Sequence, residues 1–127
     1  MRGIEFRGKI VGAEGFVYGK LLAPLASGNA YIAYDVNEVR SFVYISRSEK
    51  VDPETVGQYT GLKDKYGKKI FEGDICWEEH NECYGVVKFE DAKFLYLWEN
   101  IAEDLWEVAD SIEIYGNIHE NPELLEA

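Results

Sequence analysis

Cys76, His80 and Cys83 fall within eight residues, as Cys-x3-His-x2-Cys. Thiolate and imidazole are zinc ligands, so this is the cluster to weigh first for metal chemistry. A structural zinc site takes four ligands, commonly in paired C-x2-4-C spacing. Here a fourth would come from Glu78, Glu79, Glu82 or the distant His119, and the spacing is irregular. The residues read as two reduced, partly buried thiols and a solvated histidine, with a small metal protein or enzyme as the alternative. His119 next to Glu120 could form a general-base pair, but no nucleophile motif accompanies it. Glu103, Asp104 and Glu107 would need to converge in a cleft to work as paired acids, which spacing alone does not establish. The expectation is therefore no catalytic, cofactor-binding or metal-ligating residue, and no enzyme.

These residues must be positioned by short strands. Residues 4–11, 16–18 and 31–34 alternate or cluster apolar side chains at strand spacing, with Gly19 closing the second run. Residues 23–29, APLASGN, are turn-rich. Residues 40–46, RSFVYIS, place Phe42 and Tyr44 on one face and Val43 and Ile45 on the other. Neither face of that strand is cheaply exposed to water. Asp52-Pro53 begins a helical turn, with Asp52 as N-cap. The next strands fall at 58–62, 68–71, 75–77, 84–89, 94–98 and 112–118, with turns at 64–67, 72–74, 78–82 and 91–93. Residues 102–108 fit a short helix capped by Asn100 or a strand equally well. Asn121-Pro122 starts a closing turn. Short strands with turn signals every 8–12 residues predict a mainly antiparallel all-β fold, a barrel or sandwich.

The chain has 127 residues, 46% of them hydrophobic and 14% aromatic, enough for one domain with a real core. It contains no apolar run long enough for a membrane helix and no secretory-type apolar segment after its first charges. A cytoplasmic location is expected. Net charge is −11, and residues 76–127 carry 14 acidic against 2 basic side chains. Such a field repels phosphate backbones, which disfavours nucleic acid as a partner. The basic exception is the turn at residues 63–69, KDKYGKK, read as a solvated hairpin.

Three ordered blocks carry a family resemblance: GQYTGLKDKYGKKIFEGDI from Gly57, YGVVKFED from Tyr84 and YGNIHENPELL from Tyr115. With weaker matches at IEFRGK, GFVYGKLL and VDPETV, the chain resembles the YopX family. Tyr66 stands where relatives commonly carry Asn before Gly67, so this turn is expected to be longer or bulged. The resemblance implies an SH3-like β-barrel core in residues 57–127, with the strands of residues 1–56 extending or packing on it. It implies a phage or prophage gene in a bacterial host and transfers no catalytic residue. The shared Gly61, Gly67, Gly73, Gly85 and Gly116 read as turns or bulges, Asp64 and Asp74 as turn stabilisers. Ile70, Ile75, Val87, Ile114 and Ile118 read as core.

The expected function is that of an accessory protein acting by macromolecular binding. Its surface would be Phe94, Tyr96 and Trp98 with the acidic Glu103, Asp104 and Glu107. The 94–98 strand is apolar on both faces, so either the N-terminal strands or a second copy of the chain must cover it. A protein partner and a homo-oligomer are the partners to test. A nucleic-acid-associated barrel is the alternative, opposed by the charge.

Overall fold

The computed structural model describes residues 4–22 and 25–126. The expected loop at 23–29 is therefore seen only from Leu25 onward; Ala23 and Pro24 lie outside the described residues. Residues 1–58 and 59–127 form two compact units, and the fold is all-β and antiparallel.

In the first unit, β1 (Phe6–Lys9) pairs with β2 (Phe16–Leu22), β2 with β3 (Ala30–Val39), and β3 with β4 (Phe42–Val51). On its other side β1 pairs with the start of β5 (Gly57–Lys63), Phe6 opposite Gln58 and Arg7 opposite Gly57. Strand β4 is an edge. Ala30, Ile32 and Val51 form the buried core, against which Phe6, Val17, Leu21 and Val56 pack. Gly19 does not close β2. The strand runs through it to Leu22, and a Cβ there would lie 2.3 Å from the Ala33 carbonyl oxygen. Only glycine permits this backbone approach. Asp52 caps the turn Pro53–Thr55 as its sequence predicts, accepting from the Glu54 N–H at 3.0 Å.

The β3–β4 hairpin is longer than its sequence announces. Residues 40–46 are not one strand: Arg40, at φ 57°, and Ser41 form a two-residue connection between Val39 and Phe42. The run 31–34 extends to Val39, so polar Asp35, Asn37 and Glu38 belong to a strand.

In the second unit, the rest of β5 pairs with β6 (Lys69–Phe71). The connection, Asp64 to Lys68, is the longer turn expected without an Asn-Gly pair. β7 (Asp74–Glu78), β8 (Cys83–Glu90), β9 (Lys93–Trp98), β10 (Ile101–Asp104) and β11 (Ile112–Asn117) form a five-stranded sheet in the order β10-β9-β8-β7-β11. The ladder pairings among the described residues run from β10 to β11 without a pair that joins these ends into an SH3-like barrel. Ile70, Cys76, Val87, Tyr96, Leu105, Ala109 and Ile112 are its buried core. Ile75 is also fully buried, while Ile114 and Ile118 are half-buried.

Both readings of residues 102–108 hold in part. Residues up to Asp104 are strand β10, and Leu105–Val108 is a one-turn helix, α1, with Asp104 at its N-cap position; Asn100 instead lies in the connection between β9 and β10. The switch follows from burial: Leu105 is fully buried, whereas Trp106 and Glu107 face solvent. One helical turn sends the first inward and the next two outward.

Candidate functional site

Cys76 and Cys83 are not a ligand pair. Cys76 faces Gly85 across the β7–β8 ladder and is sealed in the core, whereas Cys83 lies opposite Glu78. His80 sits on the exposed hairpin tip. That tip is held by Glu78, whose buried carboxylate accepts the N–H groups of His80 at 3.1 Å and Asn81 at 2.7 Å. Among the described residues, no group of three or more His, Cys, Asp or Glu side chains is placed to hold a metal ion. Nor is any helix long and apolar enough to cross a membrane.

The expected interaction surface separates into pieces. Tyr96 is not on a surface. It is fully buried, its hydroxyl donates to the Cys76 carbonyl at 3.0 Å, and burial pushes its pKa well up. Alternation along β9 sets this: residues 94, 96 and 98 share the core-facing side. Phe94 and Trp98 pack half-buried against the core. Neither face of β9 is bare, since Leu95 is buried as well. Glu103 and Asp104 are engaged rather than free. Trp98 Nε1 donates to Glu103 at 2.7 Å, and Lys93 pairs with Asp104 at 2.9 Å. That pairing, led by the hydrogen bond to Asp104, raises the Lys93 pKa. Glu107 stays exposed.

What the second unit does assemble is a cleft of about 510 Å³. It is lined by Trp77, Tyr84 and Trp98, by Leu97, Leu124 and Leu125, by Cys83, and by Glu82, Glu99 and Glu126. Strands β7, β8 and β9 and the closing turn build it. Trp77 and Tyr84 are directly opposed on β7 and β8, their rings edge to face at 4.9 Å, and Tyr115 continues the array at 5.7 Å from Tyr84. Trp98 ends β9, and the two-residue connection to β10 places Glu99, at φ 51°, beside it. The closing turn Pro122–Leu125 contributes the leucines.

The cleft is acidic. No Lys or Arg is among its lining residues. Cys83 registers the field: burial first, then the charges of Glu99, Glu78 and Glu103, push its thiol pKa up. A thiol held protonated is a poor nucleophile and a poor metal ligand. In the 63–69 turn, Lys65 approaches Glu79 at 3.9 Å and Lys69 stands over the Tyr59 ring.

Sequence reasoning gave no binding role to Trp77, Tyr84 or Glu99, and weighed Glu82 only as a zinc ligand. The signal was available in part. A hairpin tip at residues 78–82 would oppose residue 77 to residue 83, one position off; the loop is residues 79–82, and it pairs residue 77 with residue 84.

The charge divides with the units. Residues 1–58 carry seven basic and seven acidic side chains, whereas residues 59–127 carry six basic and seventeen acidic. The whole net charge of −11 thus belongs to the unit that holds the cleft.

Two solved structures share the fold over nearly the whole chain. Protein EF1440 from Enterococcus faecalis matches with TM-score 0.70 at 23% identity, covering 97% of this chain and 98% of that one. Protein yopX from Bacillus subtilis matches with TM-score 0.55 at 17% identity, covering 97% and 96%. No curated protein matches the chain. The family model described as YopX protein matches residues 5–126, and the chain therefore belongs to the YopX family.

Proposed function

We propose that this protein is a non-enzymatic binding factor whose second unit takes a basic segment of a partner protein into the acidic, aromatic cleft. The observation that carries the reading is the lining itself: two tryptophans and a tyrosine beside three glutamates, with no lysine or arginine. Aromatic faces attract ammonium and guanidinium groups by about 0.5–2 kcal/mol per contact. Carboxylates at the rim steer a cation toward them over longer range. The leucines from the closing turn would cover the aliphatic stem of a lysine or arginine. Binding rather than catalysis fits the state of the thiols, since Cys76 is enclosed and Cys83 is held protonated. In the phage or prophage setting that the family resemblance implies, the protein would be an accessory factor acting on another protein.

Affinity capture from nuclease-treated host lysate tests this reading. The variant bait carries Trp98→Ala, Glu82→Gln and Glu99→Gln. A stoichiometric partner with a basic segment, lost from the variant bait, is the expected result. A partner retained equally by both baits would place the binding surface elsewhere.

A further inference from the structure

The β3–β4 hairpin leaves an apolar arm uncovered on both faces. Phe42, Val43, Tyr44 and Ile45 on β4 are 45–75% exposed, and Tyr34, Val36 and Val39 on β3 are 45–52% exposed. Phe42, Tyr44 and Val39 share one face, whereas Val43, Ile45 and Val36 share the other, as the register fixes. Register shifts around Asp35 bend the ladder where the buried part of β3 ends. Strand β4 is also the last strand of the sheet. Only its far end is held, where Ile10 bridges to Val51 and the Val11 N–H donates to the Lys50 carbonyl. Among the described residues, no strand pairs with the outward side of residues 42–45. Natural edges are usually protected by lysine, proline or an inward charge. Residues 42–45 have none of these.

We propose that this arm is a self-association element, in which β4 pairs antiparallel with β4 of a second copy of the chain. Three observations select a second copy. The first is charge: between residues 34 and 48, Asp35 and Glu38 balance Arg40 and Arg47, so two chains of net charge −11 can meet here without local repulsion. Elsewhere, an approach through the second unit would oppose two surfaces with an excess of eleven negative charges each.

The second is position. Phe42, Val43, Tyr44 and Ile45 lie on the edge strand itself, so each would gain a cross-strand neighbour from the partner copy over a row of four exposed apolar side chains.

The third is register. Val39 and Phe42 close a two-residue connection, so they form a hydrogen-bonded pair, as do Asn37 and Tyr44. Val43 and Ile45 then turn their backbone groups to the free edge. A two-fold axis through Tyr44 places Val43 of each copy opposite Ile45 of the other. Both backbone pairs are satisfied, and the two Tyr44 side chains become close neighbours. The resulting contact is closed and symmetric, so it yields a dimer and not a fibre.

Sedimentation velocity from about 1 to about 200 µM tests the proposal, because a self-associating protein shifts with concentration. The wild type is expected to form a dimer. Val43→Lys with Ile45→Lys is expected to weaken the dimer at least tenfold while leaving the circular dichroism spectrum unchanged. Should the lysine variant misfold, cross-linking decides independently. In a Cys83→Ser background, Tyr44→Cys should form a disulfide-linked dimer under mild oxidation and Phe42→Cys should not. A monomer at every concentration, a dimer indifferent to the two lysines in a folded variant, or cross-linking at Phe42→Cys equal to that at Tyr44→Cys would each overturn it. A monomeric chain that instead binds extended segments of other proteins along β4 would also overturn it.

Discussion

The carboxylate of Asp64 accepts the backbone N–H of Ile114 at 3.1 Å, joining two segments fifty residues apart in sequence. Its other oxygen accepts from Tyr66 and Lys68, each at 2.9 Å, within the turn between β5 and β6. The contact on β11 falls where the ladder to β7 shifts register between Ile114 and Gly116. One buried side chain thus shapes a turn and supplies a partner at a bulge. Asp64→Ala would leave three N–H groups without this acceptor. A loss of about 3 kcal/mol is expected, read from the urea unfolding midpoint.

Tyr96 covers Gly85 in the core of the second unit. A Cβ on Gly85 would lie 2.4 Å from the tyrosine Cζ. Gly85 is therefore neither the turn nor the bulge that the family block suggests, but the place on β8 that makes room for an aromatic ring over the strand. Gly85→Ala is expected to cost about 3 kcal/mol, because neither the ring nor the strand has room to move. Tyr96→Phe, which removes only the hydrogen bond to Cys76, should cost about 1 kcal/mol by the same unfolding measurement.

The β8–β9 connection is strained in a correctable way. Asp91 and Ala92 have φ values of 52° and 64°, the left-handed pair of a two-residue hairpin turn. Alanine at the second position carries a steric cost that glycine does not. Ala92→Gly should raise stability by about 1 kcal/mol, visible as a higher unfolding temperature.

Cys83 should alkylate slowly. Burial and the neighbouring carboxylates raise its pKa, so iodoacetamide near pH 8 should modify it more slowly than a free thiol. Glu99→Gln should speed the reaction. The linkage to stability has a definite sign. The folded chain keeps this proton where the unfolded chain releases it, so the contribution is complete below the ordinary thiol pKa. It is lost as pH rises through the raised folded value. An alkaline titration of the unfolding temperature, compared with Cys83→Ser, checks this.

Much of the fold was legible because its signals are local. Asp52-Pro53, the 64–67 turn and the alternation in β7, β8 and β9 each depend on a few adjacent residues. The arm was harder to read. Asp35, Asn37 and Glu38 have weak strand propensity, and their pairing with β4 is visible only once Arg40 is known to turn. The cleft was the least legible part. Glu103 and Asp104 read as free acids, yet Trp98 and Lys93 bind them, and such partners are fixed by pairing across β9 and β10. Glu82 and Glu99 are unremarkable in sequence and acquire meaning from the rings beside them.

Tryptophan fluorescence tests the cleft most directly. In a Trp106→Phe background, Trp77 and Trp98 are the remaining reporters, and both line it. Titration with a short lysine peptide should give a saturable change that a glutamate peptide does not give. Glu82→Gln with Glu99→Gln should weaken that binding at least about tenfold. A flat titration, or one unchanged when both carboxylates are neutralised, would contradict a cation-binding cleft.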